Sequence, residues 1–449
     1  MAKFENDLSK GNVVKRLIIF ALPFLLSNLI QTLYSVVDMI VVGQFAGTAS
    51  MSGVNIGSQI TLLITNMVLG LSVGATVLIG QYLGAGNREA LKETIGTLLS
   101  TLIVLAVAIT VVMIWLQEPL LRLIKTPEES FSEAKAYFFI TMLGTIFIFG
   151  YNALSAIMRG MGDSKNPLIF VAVACVINIF LDVWLVCGLE MGAAGAALAT
   201  VISQAASMIL CVIYLVKNNF VFDFKLSSFS FHRERLKLLL KIGIPTSVQN
   251  VTTSISFLFL TTLVNSLGVI ASAAVGAVGK LNGFAILPAV AMSSSVSAMA
   301  AQNIGAGKIE RAKKTMFAGM TIAISISAIV FLFINLFPEQ LLRIFGDDVA
   351  MIEQGKTYIR AFSFDYLIVP FVFSFNGLFI GSGHTTFSLI NSCISSLFGR
   401  IPAAYILGVV CDLGLFGFGI GAPIASSLAL IMGLCYYLSG RWQKMTIIK

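Results

Sequence analysis

Twelve apolar stretches follow one another along this 449-residue chain, each about 20 residues or longer, the length a helix needs to cross the hydrocarbon of a bilayer. Their approximate spans are 13–42, 52–81, 93–116, 134–158, 167–188, 193–216, 238–266, 271–301, 313–336, 354–380, 386–410 and 416–438. With 57% hydrophobic and only 11% charged residues, the chain is far more apolar than a soluble globular protein, and a lipid bilayer is the solvent that suits it. The expected fold class is an all-α polytopic membrane protein with twelve transmembrane helices. Charge sets the expected orientation. An even number of spans places both termini on one side, and 21 of the 29 Lys and Arg fall in the N-terminus, the even-numbered connections and the C-terminal tail. The positive-inside rule then puts both termini in the cytoplasm of a bacterial-type plasma membrane. The formal charge of +8 is distributed between the spans with no basic patch interleaved with aromatics, so nucleic acid is not an expected partner. Six cysteines lie in or beside apolar stretches without CxxC spacing and read as packing residues, not a metal site. Met1 to Gly11, hydrophilic and leading into a long apolar helix, does not read as a cleaved signal peptide.

The chain repeats itself. Gln81-Tyr-Leu-Gly84-Ala-Gly86 recurs as Gln302-Asn-Ile-Gly305-Ala-Gly307, and Gly160-Met-Gly162 recurs as Gly381-Ser-Gly383, both at one and the same offset. Pro23 finds Pro245 at that offset to within a single position. The expected organisation is therefore two six-helix bundles, 1–216 and 242–449, joined by a basic cytoplasmic linker, 217–241. Six is even, so both bundles insert the same way up, and the pseudo-twofold axis is expected along the membrane normal with substrate near mid-membrane.

Polar side chains inside the spans are expensive, and those present cluster by depth. The first helix carries Asn28, Gln31, Ser35 and Asp38 on one face. The fifth carries Asn178 and Asp182, four residues apart and so on one face as well. Asp38 lies five residues before Gly43 and Asp182 six before Gly188, so at 1.5 Å per residue both sit roughly 8 Å inside their helix ends. Thr200, eight residues into the sixth helix, lies roughly 12 Å deep from the same side. Depth alone lets Asp38, Asn178, Asp182 and Thr200 share one pocket. Such oxygen donors suit a hard cation such as Na⁺, and two neighbouring carboxylates also suit a proton. An Asn–Asp pair has a structural use too, as a pin between helices five and one. The repeat argues for function: at its offsets Asp38 falls on Leu260, Asn178 on Gly399 and Asp182 on Ala403, so the acids were not duplicated with the fold. In the second half, Lys280, Asp365 and Arg400 stand at membrane depth, where a charge normally has a partner, and Asp365 is expected to pair with Lys280 or Arg400.

The set Pro23, Gln31, Tyr34 and Asp38, the turn Gln81-x-x-Gly84-Ala-Gly86, the segment Met158-Arg-Gly-Met-Gly-Asp163-Ser164 and the repeat together resemble the multidrug and toxic compound extrusion (MATE) family over essentially the whole chain. The resemblance implies a V-shaped pair of bundles that exchanges an organic compound for Na⁺ or H⁺ by alternating access. It implies ion coupling at Asp38, Asn178, Asp182 and Thr200, the pattern of the branch with its site in the N-terminal lobe. Another branch places a Glu in helix seven, eight residues after the proline; here that position is Thr253. Gln31, Tyr34, Asn152 and Asp365 are candidates for the substrate cavity, and Pro23 for a hinge, since proline frees a backbone carbonyl and permits a bend. The expectation is a monomeric antiporter of amphipathic, cationic small molecules with no cofactor beyond the coupling ion. With no nucleophile and base set it is not expected to be an enzyme. A lipid-linked oligosaccharide flippase of the same superfamily is the alternative, for which a more basic cavity than Lys280 and Arg400 provide would be expected.

Overall fold

The computed structural model describes residues 5–218, 220–225, 228–444 and 447, and among these every regular element is helical. Twelve candidate spans emerge: α1 Val13–Phe45, α2 Gly47–Gly84, α3 Arg88–Leu123, α4 Glu128–Leu143 with Thr145–Gly160, α5 Lys165–Gly188, α6 Gly192–Lys217, α7 Arg233–Asn265, α8 Val269–Gly305, α9 Ile309–Leu336, α10 Val349–Phe362 with Asp365–Gly381, α11 Thr385–Val410 and α12 Gly414–Leu438. Ten pass as single helices; α4 and α10 are each bent, by 50° and 43°. The α4 bend falls at Gly144, where a Cβ would lie 2.2 Å from a Val201 methyl of α6, so the missing side chain lets α4 turn onto α6. Large apolar side chains point outwards on many helices, with Val111, Trp115, Phe180, Ile329 and Phe398 all mostly exposed. A soluble monomer does not carry such a surface, whereas lipid solvates it.

The chain separates into two compact units. Unit 1 comprises the segment ending at Asp7 together with Leu22–Gly243; unit 2 comprises Leu8–Ala21 and the chain from Ile244 onward. The expected halves thus exchange their opening half-helices, and each exchange point lies just before a proline inside the helix, Pro23 in α1 and Pro245 in α7. In unit 2, Leu17, Phe20 and Ala21 join a core with Met292, Val296 and Phe379. In unit 1, the backbone of Leu239 and Gly243 packs at Gly74 of α2. The expected basic linker, 217–241, falls within the bounds of unit 1. Phe222 is buried in edge contacts with Phe224 and Phe229. The His232 N–H donates to Thr97 Oγ1 at 3.1 Å, and Arg235 donates to Glu93 at 2.9 Å and to the Tyr82 hydroxyl at 2.7 Å. Hydrophobic burial at Phe222 and these bonds at His232 and Arg235 hold the described part of the segment, which composition alone does not disclose.

The repeat is written into the backbone. Gly86 and its repeat partner Gly307 both have φ of 72°, and Gly162 and its partner Gly383 both 85°. Further on, Glu190 at 53° matches Asp412 at 55°, and here the offset has grown by one position. A single residue has been inserted in between. The structure shows where: α11 contains a widened π turn, Ile394–Arg400, with no counterpart in α5, besides the π turn Ile406–Val410 that answers Val183–Gly188 of α5. A π turn accommodates an extra residue without breaking the helix.

Candidate functional site

Asp38, Asn178 and Asp182 are all inside unit 1, at 9%, 1% and 0% exposure. Asn178 and Asp182 occupy the last α-helical turn of α5, just before the π turn that begins at Val183. The carboxyls of Asp38 and Asp182 face each other between α1 and α5, although no hydrogen-bonding geometry joins them. Among the described residues, no protein group satisfies Asp38 Oδ1, either oxygen of Asp182, or either polar atom of the Asn178 amide. An unsatisfied buried polar group costs about 1–3 kcal/mol, and more when charged, so five such atoms gathered at one place are costly unless a ligand answers them. The donors are oxygens of two carboxyls and an amide, which is the chemistry of a proton or a hard cation and not of a thiol-seeking metal.

Two cavities reach the cluster. A cleft of ≈ 290 Å³ is lined by Gln31, Tyr34, Asp38, Asn152, Thr200 and Gln204, among others. A tight pocket of ≈ 10 Å³ shares Gln31, Tyr34 and Gln204 with it and ends on Asn178. The structure therefore places Gln31, Tyr34 and Asn152 with Asp38 and Thr200 along one cleft and Asn178 on the tight pocket, while fully buried Asp182 lines neither. Tyr137 of α4 stands against both acids. Its ring is held there because α2 offers Gly57, where a Cβ would come within 2.6 Å of it. Tyr137, Gln204 and the Ser58, Thr61 and Thr65 stripe of α2 are site residues not singled out by sequence reasoning. Spacing carried a signal for most of them: Gln204 lies one turn beyond Thr200, and the α2 hydroxyls recur at three and four residues.

Pro23 sits within an α1 that is helical from Val13 to Phe45, with the Ser27 hydroxyl donating to its carbonyl at 2.8 Å. Asp365 belongs to unit 2 and is not among the residues lining this cleft; it is buried beside Arg400 and Ser426. Lys280 is exposed on α8. The Asp365 neighbour is thus Arg400, close enough to act on it electrostatically but not in ion-pair contact.

Comparison with known proteins adds four findings. The MatE family profile matches residues 23–184 and 245–406, two stretches of equal length whose starts and ends are separated by the same interval. A protein of Bacillus subtilis described as probable multidrug resistance protein YpnP is 30% identical over 98% of this chain and 98% of its own. The probable multidrug resistance protein NorM of Thermotoga maritima is 28% identical over 99% of this chain and 97% of its own. Among solved structures, an outward-facing conformation of a multidrug resistance MATE family transporter of the MOP superfamily superposes with a TM-score of 0.92 at 26% identity, covering 98% of each chain.

Proposed function

Since this chain belongs to the MatE family, and is therefore a multi-pass membrane transporter and not an enzyme, we infer that it exports amphipathic, cationic small molecules in exchange for H⁺ or Na⁺ bound at Asp38, Asn178, Asp182 and Thr200. The observation that carries this reading is the cluster of buried carboxyl and amide atoms without protein partners, set against a cleft that a small molecule can enter. The multidrug descriptions of the relatives support small-molecule drugs as the substrate class, and the negative charge at Asp38 favours cationic ones.

The mechanism follows from charge. With the acids ionised, the cleft presents negative charge at Asp38 and attracts a cationic compound held between Tyr34, Gln31 and Asn152. Arrival of a proton or Na⁺ at the acids neutralises that attraction and removes the repulsion between Asp38 and Asp182. Helix α1 is then free to bend at Pro23, whose ring removes one helical hydrogen bond, and the cleft that α1 lines loses the room that held the compound. Ion and substrate oppose each other through the same carboxylates, so each weakens the other by the same factor. The gradient supplies the work: one pH unit corresponds to about 1.4 kcal/mol, and one charge crossing 100 mV to about 2.3 kcal/mol. With both termini cytoplasmic, as the charge distribution supports, the compound leaves the cell as the ion enters, and one monomer contains every part required.

Efflux of a fluorescent organic cation from proteoliposomes, with pH and Na⁺ gradients imposed separately, tests the reading. Acceleration by one gradient is the expected outcome and names the ion. Indifference to both overturns coupled antiport, and binding of a lipid-linked sugar precursor in place of drug flux would move the protein to the flippase class.

A further inference from the structure

Unit 2 holds a second cluster of buried polar groups that the proposed coupling leaves unused. Asp365, at the head of the second half of α10, is 6% exposed, and Arg400 of α11 is 8% exposed. The Arg400 guanidinium lies over the Phe257 ring of α7, 4.1 Å from its centroid. Asp365 is faced by Arg400, by Ser426 of α12, and by Tyr358 and Tyr366 of its own helix. Among the described residues, no protein group satisfies Asp365 Oδ1, the Tyr366 hydroxyl, or Nε and Nη1 of Arg400. Helix α12 closes the cluster through glycines: a Cβ on Gly419 would lie 2.8 Å from the Tyr358 carbonyl oxygen, and one on Gly421 3.2 Å from that of Arg400. These contacts seat α12 directly on the backbones of α10 and α11 beside the two charges.

Arg400 is also the last residue of the π turn that α11 has and α5 lacks. At the interval separating the two family matches, Arg400 is the counterpart of Asn178. The inserted turn has thus brought a fixed positive charge to the place where α5 carries a ligating amide. Isolated π turns are frequent at functional sites.

We propose that Arg400 is a tethered cation: it answers the buried carboxylate of Asp365 from within the protein, so that unit 2 takes up no coupling ion and ion binding is confined to unit 1. The inference rests on the reading of Asp38 and Asp182 as the coupling site. A buried carboxylate alone would draw a cation, and a buried guanidinium alone an anion; together they are neutral and draw neither. Phe257 contributes a cation–π contact that fixes the guanidinium in place.

The test separates the two readings by working first without the unit 1 site. Purified full-length D38N/D182N is titrated with Na⁺ by calorimetry and with acid in the presence of a pH indicator, and is expected to bind no coupling cation. Cation uptake undiminished from wild type would refute the unit 1 reading itself. Adding Arg400→Met or Arg400→Gln to that background is expected to create one new cation site per protein, which the further change Asp365→Asn removes, whereas Arg400→Lys creates none. Folded R400M and R400Q proteins that bind no new cation overturn the tethered-cation role. Where neither neutral variant folds, D365N/R400M in the otherwise wild-type chain decides: export within about twofold of wild type, with an unchanged number of ions exchanged per substrate, is expected, and a changed ion count overturns the proposal.

Discussion

At matched positions the two units have opposite interiors. Where α1 and α5 of unit 1 bring Asp38 and Asp182 face to face, α7 and α11 of unit 2 place Leu260 and, at the interval of the family match, Ala404, at 3% and 1% exposure in one apolar cluster with Tyr358, Phe362 and Phe418. The same bundle therefore closes without acids at that depth. Whatever Asp38 and Asp182 do for unit 1, holding this kind of bundle together is not a general requirement, and their unsatisfied oxygens are a cost that unit 2 does not carry there. What unit 2 holds in its interior is a buried carboxyl with an opposite charge nearby but out of ion-pair contact, Asp365 beside Arg400.

The sharpest way to break that contrast is to remove the acid from unit 1. Asp182→Asn should reduce gradient-driven export by more than about 1,000-fold, on the order of 4 kcal/mol in rate terms, while the protein reaches the membrane with a melting temperature at or above that of wild type. A loss of folding with the loss of export would instead identify a structural pin. The converse change installs an acid in unit 2. Leu260→Asp puts a carboxyl into an apolar cluster packed around a leucine and should destabilise the purified protein by about 3 kcal/mol, read as a depressed melting temperature. An unchanged melting curve would mean that the two interiors are less different than Leu260 suggests.

Smaller effects sharpen the picture within unit 1. Thr200→Val keeps the shape and removes one oxygen from the cleft beside Asp38, so the apparent affinity for the coupling ion should fall about tenfold with little change in stability. Gln204→Ala, on the next turn of α6, should alter substrate affinity by about threefold and leave ion affinity unchanged, because Gln204 lines both cavities without being one of the acids. Equal shifts in ion and substrate affinity at Gln204 would show that the two cavities work as one.

Much of this contrast was legible in the chain, and the reasons are physical. Lipid imposes a length on each span and a penalty on each charge within it, so Asp38, Asn178 and Asp182 stood out from composition and depth alone. The duplicated glycine turns marked the repeat because positive φ at Gly86, Gly162, Gly307 and Gly383 tolerates few other residues. The exchange of half-helices at Pro23 and Pro245 was not legible, because it depends on which packing surface Leu17 and Leu239 meet, a tertiary choice that spacing and hydropathy do not encode. The inserted residue of α11 was hidden for a different reason: a π turn leaves the helix unbroken, so hydropathy gives no sign of it, and the expected partners of Asn178 and Asp182, Gly399 and Ala403, each moved by one. Tyr137 entered the site through the α4 bend and Gly57 of α2, contacts between segments that sequence spacing does not encode.

The central claim is that ion and substrate compete through the unit 1 carboxyls. Equilibrium affinity of the purified protein for a fluorescent organic cation, measured across pH and across Na⁺ concentration, tests it most directly. The account predicts that wild-type affinity falls by about tenfold or more as the coupling ion saturates its site, and that D38N/D182N has one affinity under all conditions. An ion-dependent affinity that survives intact in D38N/D182N would contradict it.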